Sequence, residues 1–354
     1  MYFTGSSTFH LTNVAIQRLE TALSDSTNRA YTRMFRTFIA YLEFHGLLLS
    51  QVNSILFLGY LEFLLQNDVS PPHLANHVSA IKTKFTLAGA STNFLQDPRI
   101  GYFLKSAQKN GAFRIIQHAI VDVPTLKKIV TASERTYMGH IFKAVYLTAF
   151  FSFMRLSNLC PHSLTTFDPL KHLTREDVIV NGRKMLLVLK WSKTLQLRNK
   201  VKFIHIPYLG NDICPMLAIL TILQATPSGK NLPLFQVKSG NVWIPLTDSK
   251  VRTHLKTILS GLSLTGANIT FHSFRRSGAT FAFNHHVPIQ QIQNHGTWTS
   301  DCVWRYIVDS ADAGSQVADA FAFLAGDLGL WMKKVSIHFL KKITLTFTGQ
   351  MAMI

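Results

Sequence analysis

Between Glu176 and Pro207 the hydrophobic period drops from the helical spacing that rules the chain on either side to strict alternation. Val178, Ile179 and Val180 run into Asn181-Gly182, a pair suited to a two-residue hairpin turn because both positions accept a left-handed backbone. Met185 to Leu189 forms the return strand, and Lys202 to Pro207 a third. One short antiparallel sheet set among helices makes this region mixed, mainly α, and of the α+β class.

Upstream of that sheet the pattern is helical throughout. SDSTNRAYTRMFRTFIAYLEFHG opens with capping residues at Ser24, Asp25 or Ser26 and repeats Tyr31, Phe35, Phe38 and Leu42 near helical spacing. A second helix is expected over about 51–65, closed by Pro71-Pro72, a third over 73–87 and a fourth over 98–109. Four short helices make residues 23–110 an all-α domain, with 1–22 as an extension. Residues 111–124 read as a linker, where helical spacing lapses until Pro124 restarts it. Two more helices are expected over 125–133 and about 138–156, the second closed by Arg155 at the end of an otherwise apolar run. After the sheet, helices are expected over about 214–224 and 248–260, so that 125–310 forms a second domain; 311–354 is a tail of unclear role.

Charge narrows the partners. The net charge is +18, and 22 basic against 9 acidic residues fall between Gln117 and Ser310, against 10 and 6 before them. An excess of this size, gathered in one domain, points to a polyanion, of which nucleic acid is the common case. Three widely spaced cysteines, Cys160, Cys214 and Cys302, argue against a disulfide framework and for a reducing compartment. The N-terminus has no signal-peptide pattern, and the longest apolar run, 144–154, is too short to span a bilayer. The histidines lack metal-ligand spacing, so neither metal nor cofactor is expected, nor a membrane partner.

The densest chemistry lies in TFHSFRRSGATFAFNHHVPIQQIQNHGTWTSDCVWRYI, residues 270–307. His272 and Arg275 stand three apart, on one face of a helix. With 15 histidines and as many arginines in 354 residues, such a pair arises by chance about as often as not, and His172 with Arg175 is a second one. Order carries more weight. Arg155, then Lys193 beside the hairpin in KWSKT, then His272 and Arg275, then Trp298 (with His295 as the alternative), then Tyr306, form one series.

This series resembles the tyrosine recombinase (phage integrase) family over about residues 24–310. The helical domain resembles that family's core-binding domain, with the TNRAYTRMFRTFIAYL start and the SAIK helix in their usual places, and FFSFMRLSNLCP with HGTWTSD is most similar to recombinases of eukaryotic mobile elements of the Crypton or DIRS kind. The resemblance implies an α-helical, SAM-like core-binding domain and a catalytic domain of the DNA breaking-rejoining enzyme fold. It rejects the second pair, because Arg175 follows Arg155 too closely to leave room for a hairpin lysine. The chain departs from the family pattern at two places. It lacks a glycine near Met154, and Asn158 replaces an acidic residue; an asparagine there can still accept a hydrogen bond and orient Arg155.

The implied activity is site-specific cutting and rejoining of double-stranded DNA through a 3′-phosphotyrosyl intermediate, by a homotetramer, encoded by a mobile element. Tyr306 is the expected nucleophile. Arg155 and Arg275 are suited to bind the non-bridging oxygens bidentately. Lys193 is expected to protonate the departing oxygen, His272 to act as acid and base, and Trp298 to pack against or donate to the phosphate. Arg29, Arg33, Arg36, Lys82, Lys84, Arg183, Lys190, Arg198, Lys200 and Arg276 are expected DNA contacts. The expected compartment is the nucleus in a eukaryote and otherwise the cytoplasm. Two alternatives share these residues: a retired DNA-binding derivative of such an element, and a type IB topoisomerase-like enzyme.

Overall fold

The computed structural model describes residues 18–19, 21–111, 119–136, 138–192 and 201–308. Lys193, Arg198, Lys200 and the tail 311–354 lie outside the described residues, as does nearly all of the extension 1–22. The chain divides into two compact units, 1–116 and 117–354.

In the first unit, helices α1 (Asp25–Phe44), α2 (Ser54–Gln66), α3 (Pro71–Leu87) and α4 (Pro98–Asn110) enclose a core of Phe38, Leu42, Phe57, Tyr60, Leu61 and Ile81. Side chains that satisfy otherwise unpaired N–H groups fix where helices begin: Ser24 accepts from Thr27 N, and Asn53 from the amides of Ile55 and Leu56. Pro71 and Pro72 open α3 instead of closing α2. The earlier helix stops at Gln66, followed by Asp68 in the left-handed region, and a proline at the first helical position lacks only an N–H that has no partner there anyway.

The second unit is built on α6 (Gly139–Ser152), which is buried nearly all round. Helix α5 (Val123–Glu134) packs against it, as do α8 (Pro215–Ala225) and α10 (Phe271–Asn284). The sheet is antiparallel in the order β1 (Val178–Asn181), β2 (Lys184–Leu189), β3 (Lys202–Ile206), in a register that places Val178 opposite Leu187 and Leu187 opposite Ile204. Its turn falls one residue later than the Asn-Gly pair predicts: Asn181 pairs with Lys184 at the strand end, and the turn residues are Gly182, with φ +58°, and Arg183. Met185, Leu187, Leu189, Ile204 and Ile206 turn inward to the core. A second hairpin, β4 (Gln236–Ser239) and β5 (Val242–Pro245), turns at Gly240 with φ +59° and precedes α9 (Asp248–Gly261).

One expectation fails where it matters. The helix expected over 138–156 ends at Ser152, because Phe153 takes a left-handed backbone, φ +53°. A four-residue helix, α7 (Leu156–Leu159), follows, so Arg155 stands in extended backbone between the two helices instead of closing the first. A left-handed residue beside Met154 occupies a conformation that favours glycine; here a phenylalanine holds it, at a cost of about 1–2 kcal/mol.

Candidate functional site

Helix α10 brings the His-x-x-Arg pair to the break between α6 and α7. Its close approach needs Gly278: a Cβ there would lie 2.0 Å from the Phe150 carbonyl oxygen and 2.7 Å from the Phe153 ring. Three residues earlier on α10, Arg275 is only 2% exposed. Its Nη1 donates to the Phe153 carbonyl and its Nη2 to the Gly296 carbonyl at 2.8 Å. The left-handed turn at Phe153 thus sits where its carbonyl receives the buried guanidinium.

Beyond α10, helix α11 (Ile289–His295) ends at Gly296, and the chain passes Trp298 and a 3₁₀ turn, Asp301–Arg305, to reach Tyr306. Phe153, Ala279, Ile292, Trp298 and Val303 form a small apolar cluster beneath this segment. The guanidinium carbon of Arg275 lies 4.1 Å from the Trp298 ring centre and 5.2 Å from that of Tyr306. The Trp298 and Tyr306 rings are 4.9 Å apart, and the exposed His272 ring is 5.1 Å from Tyr306. Thr280 on α10 donates to the Tyr306 carbonyl at 3.0 Å, fastening the tyrosine's backbone.

The electrostatics are those of a cation site. Burial, with the like charge of Arg155 next, lowers Arg275 to about 9, against a partly offsetting contribution from Tyr306. Arg276, half-buried on the same helix, is lowered by burial and drawn back by Tyr306, so it belongs beside the phenol. Among the described residues six buried side-chain atoms have no hydrogen-bond partner, and four of them belong to this site: Arg155 Nη1, Arg275 Nε, Arg276 Nε and Trp298 Nε1. Native interiors rarely leave so many donors unmatched in one place. Among the described residues no cluster of His, Cys, Asp and Glu could hold a metal ion.

His295, the alternative to Trp298, is engaged elsewhere. Its Nε2 donates to the Phe151 carbonyl at 2.9 Å and its ring meets Phe153 edge-on, so Trp298 is the one that reaches Arg275 and Tyr306. Burial lowers the pKa of His295, which favours the neutral ring. The second His-x-x-Arg pair is structural: Arg175 donates to the Leu223 carbonyl and the Thr226 hydroxyl at the end of α8, while His172 bonds the Asp168 backbone.

Asn158 does not orient Arg155. Its amide donates to the Trp191 carbonyl at 2.8 Å, while Arg155 Nη1 is buried without an acceptor. Lys190 is paired with Asp177 at 2.6 Å. Arg183 stands over the Tyr208 ring at 5.2 Å. In the first unit, the exposed Arg29, Arg33 and Arg36 lie along one face of α1 and line an open groove of about 450 Å³. Lys84 donates to Asn28 at 2.9 Å on that side, and Lys82 is exposed. Lys202, absent from the expected site, donates to Asn294 Oδ1; no sequence motif marks that pair.

No protein-family model matches the sequence, and no curated protein does. Solved structures do. The Tn1549 transposon integrase in complex with transposon right end DNA matches with a TM-score of 0.60 at 13% identity, over 87% of this chain and 99% of that one. The XerH site-specific recombinase bound to its palindromic difH substrate, in a post-cleavage complex, matches at 0.56 and 14%, over 79% and 75% of the two chains. A lambda integrase dimer bound to a COC′ core site matches at 0.53 and 15%, over 84% and 95%. With a helical unit followed by a mainly helical unit carrying small antiparallel sheets, the chain has the fold of the tyrosine recombinases and integrases.

Proposed function

We propose that this protein is a DNA strand transferase that cuts and rejoins duplex DNA through Tyr306. The observation that carries this reading is the group of buried donors without acceptors around a half-buried phenol: Arg155 Nη1, Arg275 Nε, Arg276 Nε and Trp298 Nε1. A site made only of donors and cations suits an oxyanion, and a phosphodiester in transit carries its charge on the non-bridging oxygens. Tyr306 oxygen attacks phosphorus as His272 takes its proton; the bond to the 5′ oxygen breaks, leaving a 3′-phosphotyrosyl link and a 5′ hydroxyl. Lys193 is the proposed source of the proton for that leaving oxygen. The reverse steps, with a different 5′ hydroxyl, rejoin the strands. This chemistry calls on no metal or cofactor.

The same reading makes double-stranded DNA the partner, with Arg29, Arg33 and Arg36 on its backbone, a homotetramer the working assembly and a mobile element the source of the gene. The matched structures support the partner: the Tn1549 integrase is there in complex with DNA, XerH is bound to its difH substrate and lambda integrase to a core site.

The deciding experiment incubates wild type and Tyr306→Phe with phosphorothiolate-trapped duplexes drawn from the flanks of the encoding locus. Denaturing gels are expected to resolve a covalent 3′ adduct with wild type and none with Tyr306→Phe. Salt-sensitive binding without any adduct would reduce the protein to a DNA-binding derivative.

A further inference from the structure

Strands β2 and β3 are tied by one asparagine each to α7, which follows Arg155, and to α11, which leads to the Gly296 carbonyl that receives Arg275. Asn158, in α7 and three residues past Arg155, is 2% exposed and donates from Nδ2 to the carbonyl of Trp191, two residues past the end of β2. Asn294, in α11 and two residues before Gly296, accepts from Nζ of Lys202, the first residue of β3. Leu189 pairs with Lys202 in the ladder, so both ties act at the same end of the hairpin. Just inside that end, Leu189 and Ile204 line the narrow space that also borders Arg275 and His295. We infer that Asn158 and Asn294 are positioning residues that fix this end of the hairpin against the arginine site. The inference rests on the proposed function for its effect on rate, but not for the contacts.

Donor and acceptor chemistry separates this account from the one in which Asn158 is a weakened partner for Arg155. A carbonyl oxygen accepts and cannot donate, so only the amide nitrogen of Asn158 satisfies Trp191. Aspartate has nearly the same shape, yet would set a buried carboxylate against that carbonyl. Were the residue's task to orient Arg155, Asn158→Asp would strengthen it, because a carboxylate is the better acceptor for a guanidinium. The two accounts therefore give opposite signs for one substitution. At the second tie the ammonium of Lys202 needs an acceptor, and the amide oxygen of Asn294 supplies one without cancelling its charge. That charge is felt at His295, which it pushes toward the neutral form.

The test compares wild type, Asn158→Asp, Asn158→Ala and Asn294→Ala as full-length proteins. Adduct formation on the trapped duplex is followed in a single turnover, and amide hydrogen exchange across 184–192 and 201–206 is followed without DNA. Asn158→Asp is expected to slow adduct formation at pH 8 about tenfold or more, with DNA affinity unchanged, and to speed exchange at the hairpin end. Lowering the pH to 6 should recover part of that loss in Asn158→Asp alone, since a protonated carboxyl regains a donor; Asn158→Ala cannot. Asn294→Ala, altered at an exposed position, should fold and speed exchange over 201–206. An Asn158→Asp rate equal to or above wild type, or exchange unchanged in both Asn158→Asp and Asn294→Ala, overturns the inference. Should wild type form no adduct, the proposed function fails instead, and exchange alone then decides the ties.

Discussion

The guanidinium carbon of Arg275 stands 4.1 Å from the centre of the Trp298 ring, and both residues keep a buried N–H without an acceptor. A cation over an indole face is stabilised by the ring quadrupole, by about 2 kcal/mol or more when desolvated. This holds the arginine while leaving its Nε free to bind.

Substitutions at Trp298 separate stacking from donation. Trp298→Phe retains an aromatic face and removes only the indole N–H, so it should slow adduct formation about tenfold to a hundredfold, the worth of one hydrogen bond to a charged group. Its unfolding temperature should stay close to wild type. Trp298→Ala adds a cavity costing about 3–5 kcal/mol. A wild-type rate in Trp298→Phe would reduce the indole to packing.

A free anion should relieve the crowding of cations. Burial, and then the like charge of Arg155, hold Arg275 down to about 9, which leaves it charged at pH 7 and the folded state bearing the cost. Inorganic phosphate, at matched ionic strength in chloride, should stabilise wild type by about 1–3 kcal/mol when in large excess over its dissociation constant. Arg155→Gln should lose most of that gain while being no less stable than wild type in phosphate-free buffer. Differential scanning fluorimetry reads both.

Gly278→Ala sets a small gain against a larger loss. Alanine improves helix propensity by up to about 1 kcal/mol. Its Cβ would fall 2.0 Å from the Phe150 oxygen, and parting α6 from α10 should cost about 1–3 kcal/mol or more. The net effect should be a lower unfolding temperature, by roughly 2–4 °C per kcal/mol, and slower adduct formation, because the same contact spaces the site.

His254 should give the protein an acid-side stability slope. Its ring stacks on Phe142 with centres 3.7 Å apart, and its nitrogens bond Tyr146 at 2.8 Å and Thr136 at 2.9 Å. Burial lowers it to about 4, against an ordinary value of about 6.5. Between those values the unfolded chain takes up a proton that the folded one refuses. Stability is therefore full above about pH 6.5 and falls as the pH drops toward 4, by about 1–2 kcal/mol once solvent screening is allowed for. Other buried histidines are lowered as well, so the informative quantity is the difference in slope between wild type and His254→Gln in urea melts at pH 7, 6, 5 and 4.

Much of this architecture could be read from local chemistry. Asn181-Gly182 marked the hairpin within a residue at each end, and the run Ser24, Asp25 or Ser26 marked the start of α1, where Ser24 is the cap, because turns and caps are decided by neighbours in sequence. The hairpin at Gly240 escaped notice, its four-residue strands being too short for alternation to stand out. The break at Phe153 was hidden for another reason: the apolar run through Met154 is compatible with an unbroken helix, and contacts with α10 and Trp298, distant in sequence, decide otherwise. Tyr306, Trp298 and Arg275 were legible from their order and meet in space. The partners of Asn158 and Lys190 were not, since Trp191 and Asp177 reach them only through the folded sheet.

That Arg275 donates its hydrogen bonds to the carbonyls of Phe153 and Gly296 has a consequence for how such a site can drift. Every residue type carries a carbonyl, so a phenylalanine can grip the guanidinium at 153 through its backbone alone; Gly296 lacks that latitude, since a Cβ there would lie 1.9 Å from the Trp298 ring. Sequence can then wander far while the shape stays: the fold matches solved structures at 12–15% identity, although no family model and no curated protein matches the sequence.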